Sequence, residues 1–351
     1  MCAKIAVAMS GGVDSSAAAW LLKEQGHTLL GVTLKLFQGG DGAVRDAQRA
    51  ARQLDIPHCV VDAGPCFQAR VMDRFAAAYE AGETPNPCVD CNQYVKFGAL
   101  LDRVREQEQE LVATGHYVRL ERDPGTGRWL LKRAAHRSKD QSYVLWALTQ
   151  DQLAHSRFPL GDMSKGEIRE IAQAQGLVSA RKKDSQDICF VPDGDYSAFL
   201  RQYTGKNYPA GNFVSETGEI LGRHQGIVSY TVGQRRGLGV SSNHGRLYVK
   251  EICPGNNTVV LSENGSLFHR TLWADSPNWI ALEGLQGPLR LRAKVRYQME
   301  EQPCTVEQTD GNTLRVRFDE PQRAITPGQS VVFYEDDVVV GGGVIRRTEE
   351  E

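Results

Sequence analysis

Cysteine is sparse in this 351-residue chain: eight residues, at positions 2, 59, 66, 88, 91, 189, 253 and 304, are too few for a disulfide scaffold. Long apolar runs are missing as well. Stretches such as Leu29–Val32 and Val338–Val340 fall far short of the ~20 residues a membrane span needs, so no membrane partner is expected. Met-Cys-Ala-Lys leads straight into a short apolar segment without a cleavable signal pattern, and a cytoplasmic location is expected. Net charge is nearly absent, at −2, but it is unevenly spread: residues 119–250 carry 20 Lys and Arg against 13 Asp and Glu, while both flanks are acidic. A basic middle in an acidic protein suits a polyanion seat. No internal repeat or low-complexity tract is visible. With 41% hydrophobic and 24% charged residues, a long disordered chain is excluded.

The first 115 residues alternate strand-like and helix-like segments. Ile5–Met9, Leu29–Leu36, His58–Asp62 and Leu111–Thr114 read as strands; Ser15–Gln25, Ala43–Leu54, Phe67–Tyr79 and Tyr94–Arg105 read as helices. That alternation predicts βαβ units around a parallel sheet, with ligands at the carboxyl ends of the strands. A hairpin is expected at 117–133, around the turn Asp123-Pro124-Gly125-Thr126-Gly127, and helices near Thr149–His155 and Ser164–Gln175. Beyond Tyr203 the chain is rich in glycine, β-branched residues and turn pairs. The expected organisation is an α/β domain over 1–203, a small β-rich domain over 204–275 and a second over 276–351, the last boundary at Ser276-Pro277.

Ser10-Gly11-Gly12-Val13-Asp14-Ser15-Ser16 lies between the first strand and the first helix. Paired glycines let backbone approach a phosphate closely, and the helix start offers unpaired N–H groups and a positive dipole end. The serines add hydroxyl donors, and Asp14 can hold a magnesium ion. The loop is neither a Walker A sequence nor the dinucleotide G-x-G-x-x-G. In this setting it resembles the PP-loop ATP pyrophosphatases, which cleave ATP to AMP and pyrophosphate.

Cys88 and Cys91 form C-x-x-C in Thr84-Pro85-Asn86-Pro87-Cys88-Val89-Asp90-Cys91-Asn92, ahead of a helix expected to start near Gln93. A thiol at a helix N-terminus has its thiolate favoured, which makes Cys91 a candidate nucleophile. Cys189 follows the basic triplet Arg181-Lys182-Lys183. Spacing alone leaves a zinc half-site, a redox pair and chance all open.

Taken in order, S-G-G-V-D-S-S, N-P-C-V-D-C-N-Q-Y-V-K-F-G (Asn86–Gly98), A-T-G-H-Y (Ala113–Tyr117), K-D-Q-S-Y-V-L (Lys139–Leu145), D-S-Q-D-I-C-F (Asp184–Phe190), S-Y-T-V-G-Q-R-R-G-L-G (Ser229–Gly239) and T-P-G-Q (Thr326–Gln329) closely resemble the tRNA-specific 2-thiouridylase family, from Ile5 to about Tyr334. The resemblance implies a PP-loop domain of the adenine nucleotide alpha hydrolase-like type, a small central domain and a C-terminal β-barrel. It implies ATP and Mg²⁺ as reactants, a tRNA for Lys, Glu or Gln as substrate, and a cysteine desulfurase or sulfur-relay protein as sulfur donor. The reaction implied is ATP-dependent replacement of the C2 oxygen of the wobble uridine by sulfur.

Residue by residue, the family pattern places ATP at Ala8, Met9, Ser10, Gly11, Gly12, Val13, Asp14 and Ser15, with Leu34 near the adenine and Gly115 in the fourth turn. Asn86, Pro87 and Cys88 would face the target base, Cys91 would be the nucleophile and Cys189 the persulfide carrier. His116, Lys139, Asp140, Gln141, Arg296, Tyr297 and Gln329 match positions that touch tRNA. One departure stands out: where this chain has Cys88, well-known members of the family carry Asp, whose polar role a thiol does not inherit. Cys88, Cys91 and Cys189 then make a three-thiolate set of the kind that holds a [4Fe–4S] cluster in related thiolation enzymes. A persulfide route on Cys91 and Cys189 and a cluster route on all three are both carried forward. Two rival readings are another AMP-forming PP-loop ligase and a non-catalytic tRNA-binding protein.

Overall fold

The computed structural model describes residues 2–37, 41–177, 188–191, 193–240 and 245–349. The basic triplet at 181–183 and most of the D-S-Q-D-I-C-F block lie outside them; Ile188, Cys189 and Phe190 lie inside.

The expected parallel sheet is present, in the order β3-β2-β1-β4-β7, built from β1 (Lys4–Ala8), β2 (Thr28–Lys35), β3 (His58–Asp62), β4 (Leu111–Ala113) and the short β7 (Ser156–Arg157). Ile5, Ala6 and Val7 are all buried, as a central strand covered on both faces requires. On one face, Ile5 and Val7 pack with α1 (Val13–Glu24), α2 (Asp41–Gln53) and Ala172 of the helix Lys165–Ala174. On the other, Ala6 and Val112 meet Phe97, Leu100 and Val104 of the helix spanning 87–105. The chain turns from β1 to β2 and β3 on one side, then returns to β4 on the other. The crevice beyond β1 and β4 is therefore the switch point where such sheets bind ligands.

A four-stranded sheet follows, from β8 (Gly211–Val214), β9 (Ile220–His224), β10 (Tyr248–Cys253) and β11 (Thr258–Ser262). The C-terminal body is a closed barrel of β12 (Phe268–Trp279), β13 (Leu289–Lys294), β14 (Gln302–Gln308), β15 (Thr313–Arg323), β16 (Ser330–Glu335) and β17 (Val338–Thr348), sealed by pairing of β12 with β17. Because β12 is already part of the barrel at Phe268, the break read at Ser276-Pro277 is a bulge inside that strand, with Ser276 at φ 52°, and not a boundary. The helix Tyr196–Thr204 and β7 were not anticipated: β7 is two residues long, and the helix directly abuts the turn-rich region.

The hairpin of β5 (Val118–Arg122) and β6 (Trp129–Arg133) extends the barrel's sheet outward from β17, although it lies within the first domain in sequence. β6 pairs with β17 through Lys132 and Val338, and Arg128 donates to the carbonyls of Trp279 and Ile280 at 3.1 and 2.9 Å. At this junction Arg133 is 1% exposed, bonds Glu301 at 3.0 Å and lies 3.9 Å from the centre of the Tyr334 ring. Burial pushes the Glu301 carboxyl up, but hydrogen bonds, including that from Arg133, outweigh it and hold the group below its usual range. Removing one partner of such a buried pair strands the other, so Glu301→Gln is expected to cost about 3 kcal/mol in urea unfolding at pH 7. A depressed carboxyl contributes stability above its unfolded value of about 4.3, so the deficit should shrink as pH falls below that point. An unchanged unfolding midpoint at pH 7 would refute the role of the pair.

Candidate active site

β1 ends at Ala8, and Met9 extends it with a bond to Val32 O at 2.8 Å. Gly11 then adopts φ +71°, and a Cβ there would lie 2.7 Å from Asp46 Cβ and 2.8 Å from Ala43 O, so only glycine fits this turn against α2. Gly12 caps α1 without any side-chain cap, and the N–H groups of the first turn are not claimed by a capping side chain. Ser15 Oγ bonds Ser10 N and Gly12 O, each at 3.2 Å, and Ser16 Oγ bonds Gly12 O at 2.9 Å. The hydroxyls expected to face a ligand thus first of all brace the loop. Leu34 lies half-buried near the carboxyl end of β2. This cradle of close backbone, helix N-terminus and hydroxyls fits a phosphate.

The turn after β4 closes over the cradle. Gly115 packs directly on α1: a Cβ would lie 2.8 Å from Asp14 C and from Ser15 N. His116 Nδ1 meets Thr114 Oγ1 at 2.7 Å, its ring faces Phe97 and Phe158, and burial holds it well below its usual pKa, hence neutral. Asp14 does not stand free. Its carboxylate accepts from Tyr117 Oη at 2.7 Å and from Lys165 Nζ at 2.6 and 2.8 Å. A magnesium ion arriving with a triphosphate would take chiefly phosphate oxygens and waters, with Asp14 the one carboxylate the loop offers.

Asn86 caps the next site. Its Oδ1 accepts from Cys88 N at 3.2 Å and Pro87 occupies the first turn, so the helix starts at Pro87, earlier than Gln93. Cys91 consequently sits a full turn inside. It is 8% exposed, and burial pushes its thiol up to about 11, the reverse of the expected thiolate preference. It is Cys88, exposed, that occupies the helix N-terminus.

Cys189 lies in a tight turn closed by Val191 N to Ile188 O at 2.8 Å. Its neighbour Phe190 plugs edge-on between Phe67 and Phe75, and the same cluster holds Cys91, so packing brings the two thiol segments together. Cys189 is exposed by area yet enclosed enough for desolvation to raise its thiol too. Lys96, unassigned in the sequence reading, acts on both thiols in the opposite direction. Among the described residues no three His, Cys, Asp or Glu side chains are arranged to hold a metal ion. Cys88, Cys91 and Cys189 nonetheless lie near enough for their charges to act on one another: Cys189 and Cys88 both push the Cys91 thiol up, and Cys88 does the same to Cys189.

The residues matched to tRNA contacts line the seam between the α/β domain and the barrel, and several are occupied internally. Asp140 accepts from Ala134 N, Ser142 N and Ser142 Oγ, and Gln141 accepts from Tyr117 N at 2.9 Å. Arg296 donates to the carbonyls of Arg323 and Ala324. Gln329 donates to Thr84 O at 2.8 Å, tying the T-P-G-Q turn to the loop ahead of Cys88. Tyr297 is 42% exposed and bonds Asp140 O at 3.1 Å, leaving its ring on the surface; Lys139 is half-buried.

A doubly wound sheet with a phosphate cradle at its switch point, followed by two β-rich bodies, defines a multidomain enzyme of the HUP class. The tRNA methyl transferase HUP domain family matches residues 3–193, the tRNA methyl transferase PRC-barrel domain residues 197–263, and the aminomethyltransferase beta-barrel domain residues 269–345. The chain belongs to the tRNA-specific 2-thiouridylase family. It is 45% identical to tRNA-specific 2-thiouridylase MnmA of Clostridioides difficile (strain 630), covering 98% of both chains. It is 47% identical to the protein of that name from Lachnoclostridium phytofermentans, covering 97% of this chain and 99% of the relative. The domain descriptions speak of methyl transfer, whereas these full-length relatives carry the thiouridylase name. Among solved structures, U34-tRNA thiolase NcsA from Methanococcus maripaludis with its [4Fe-4S] cluster aligns at TM-score 0.33 and 15% identity, over 57% of this chain and 67% of that one, a likeness too low to carry argument. Among the described residues no helix is long and apolar enough to cross a membrane.

Proposed function

We propose that this protein thiolates the wobble uridine of the Lys, Glu and Gln tRNAs at C2, at the expense of ATP. The observation that carries the reading is the phosphate cradle of residues 10–15 in one domain with two thiol segments, at Cys91 and Cys189, packed in a single aromatic cluster. The C2 oxygen of uridine is a poor leaving group, so it first attacks the α-phosphorus of ATP and pyrophosphate departs. A cysteine desulfurase or relay protein loads a persulfide on Cys189. Its terminal sulfur attacks C2, the C2–O bond breaks and AMP leaves. Cys91 then attacks Cys189 Sγ, which frees the thiocarbonyl and leaves a Cys91–Cys189 disulfide for a reductant to reopen. The base must leave its stack to reach these groups.

Incubating unmodified tRNA with enzyme, ATP, Mg²⁺ and a persulfide donor should yield AMP and 2-thiouridine together, read by chromatography and mass spectrometry. An AMP yield indifferent to tRNA would reject the reading in favour of another AMP-forming ligase. Binding of tRNA should weaken steeply with salt, because phosphate contacts release counterions; a flat log–log plot between 50 and 200 mM, roughly the range over which such slopes are read, would contradict the polyanion seat in the basic middle.

A further inference from the structure

The phosphate cradle has its own carboxylate, Asp14, in the first turn of α1, where a bound triphosphate would meet a second negative charge. Three elements far apart in sequence converge on it. Tyr117, 3% exposed, donates its hydroxyl at 2.7 Å, and its backbone is held in turn by Gln141. Lys165 donates Nζ to both carboxylate oxygens, at 2.6 and 2.8 Å, and lies 5.9 Å from the centre of the Tyr117 ring. The lysine side chain is 10% exposed. Its backbone is fixed as the first residue of the helix Lys165–Ala174, behind the capping box of Ser164 and Glu167.

We propose that Lys165 is a positioning residue of the nucleotide site: by pairing with Asp14 it cancels the cradle's own negative charge and sets the carboxylate's orientation, so that a polyphosphate can be seated at the start of α1. This rests on the reading that the cradle takes ATP. A half-buried carboxylate without its ammonium would repel the incoming phosphates, with little water between them to screen the repulsion. A helix N-terminus tolerates an Asp for its own sake, so a purely structural ion pair is the competing account.

Equilibrium binding of ATP to the full chain by calorimetry separates them without relying on turnover. Lys165→Met, with Lys165→Gln as a second variant should the first not fold, should weaken ATP by at least about tenfold, while Lys165→Arg stays within about threefold. In the Asp14→Asn background, where there is no charge left to cancel, Lys165→Met should cost no more than about threefold. Wild-type affinity in both neutral variants, with only the melting temperature lowered, would overturn the proposal. So would an undiminished loss in the Asp14→Asn background, which would mean that Lys165 acts on the phosphates alone. Wild-type protein that binds no ATP would instead reject the nucleotide reading itself.

Discussion

Serine at Cys91 or at Cys189 should reduce 2-thiouridine formation by on the order of 10³-fold or more, while pyrophosphate release in the first turnover persists. Adenylation uses the cradle at residues 10–15, and neither thiol bonds to it, so the two half-reactions should separate cleanly. Cys88→Ser should retain activity within about tenfold, because in the persulfide route Cys88 is neither carrier nor nucleophile. The environments of the thiols make a companion test possible. Cys91 is buried with its thiol raised to about 11, whereas Cys88 and Cys189 are exposed. Alkylation by iodoacetamide should therefore reach the two exposed positions well before Cys91, as peptide mapping would show. Full activity of either Cys91→Ser or Cys189→Ser would sink the route. Strict dependence on Cys88, accompanied by about four irons per chain after anaerobic purification, would replace it with a cluster mechanism.

The second large effect is expected at Gly115. An added methyl group would lie 2.8 Å from the backbone at Asp14 and Ser15 and 3.0 Å from Asp14 Cβ, none of which is a flexible side-chain tip. The first turn of α1 or the 114–117 turn must shift, and a displacement of about 1 Å in a positioning element costs on the order of 10²-fold in rate. Gly115→Ala should accordingly lower single-turnover AMP formation by about that factor, with a stability loss of about 1–3 kcal/mol and little change in tRNA affinity. Gly125→Ala, at the hairpin tip where the nearest atom is 3.7 Å away, serves as the silent control. A wild-type rate in Gly115→Ala would show that the turn after β4 does not support the cradle.

Much of this site is legible in short stretches of sequence because its parts are local. Two glycines between an apolar strand and an alanine-rich helix announce a tight turn, and the stretch Ser164–Gln175 announces a helix; Gly11 turns with φ +71° ahead of α1, and the helix Lys165–Ala174 is present. Asn86-Pro87 is an equally local signal, an N-cap followed by proline in the first turn. Giving it more weight would have started the helix at Pro87 and placed Cys91 inside it. The Asp14–Lys165 pair has no such signature. It joins residues 151 positions apart, and nothing around Lys165 distinguishes it from a solvated helix cation. The hairpin 118–133 was visible as a hairpin, but its partner β17 was not, since an edge strand's pattern does not say which distant edge it joins.

That pairing also has a consequence for the order in which the chain is made. β6 is synthesised about 200 residues before β17, a wait of roughly 10–40 s at ordinary elongation rates. Until Asp337 and Val338 emerge, β6 has only β5 as a neighbour, with Lys132 opposite Arg119, and Arg119 lacks Asp337. Tyr117, whose hydroxyl holds Asp14, is the residue immediately before that hairpin. The loop at residues 10–15 is therefore braced, through Tyr117, from a hairpin whose outer neighbour β17 is made long after it.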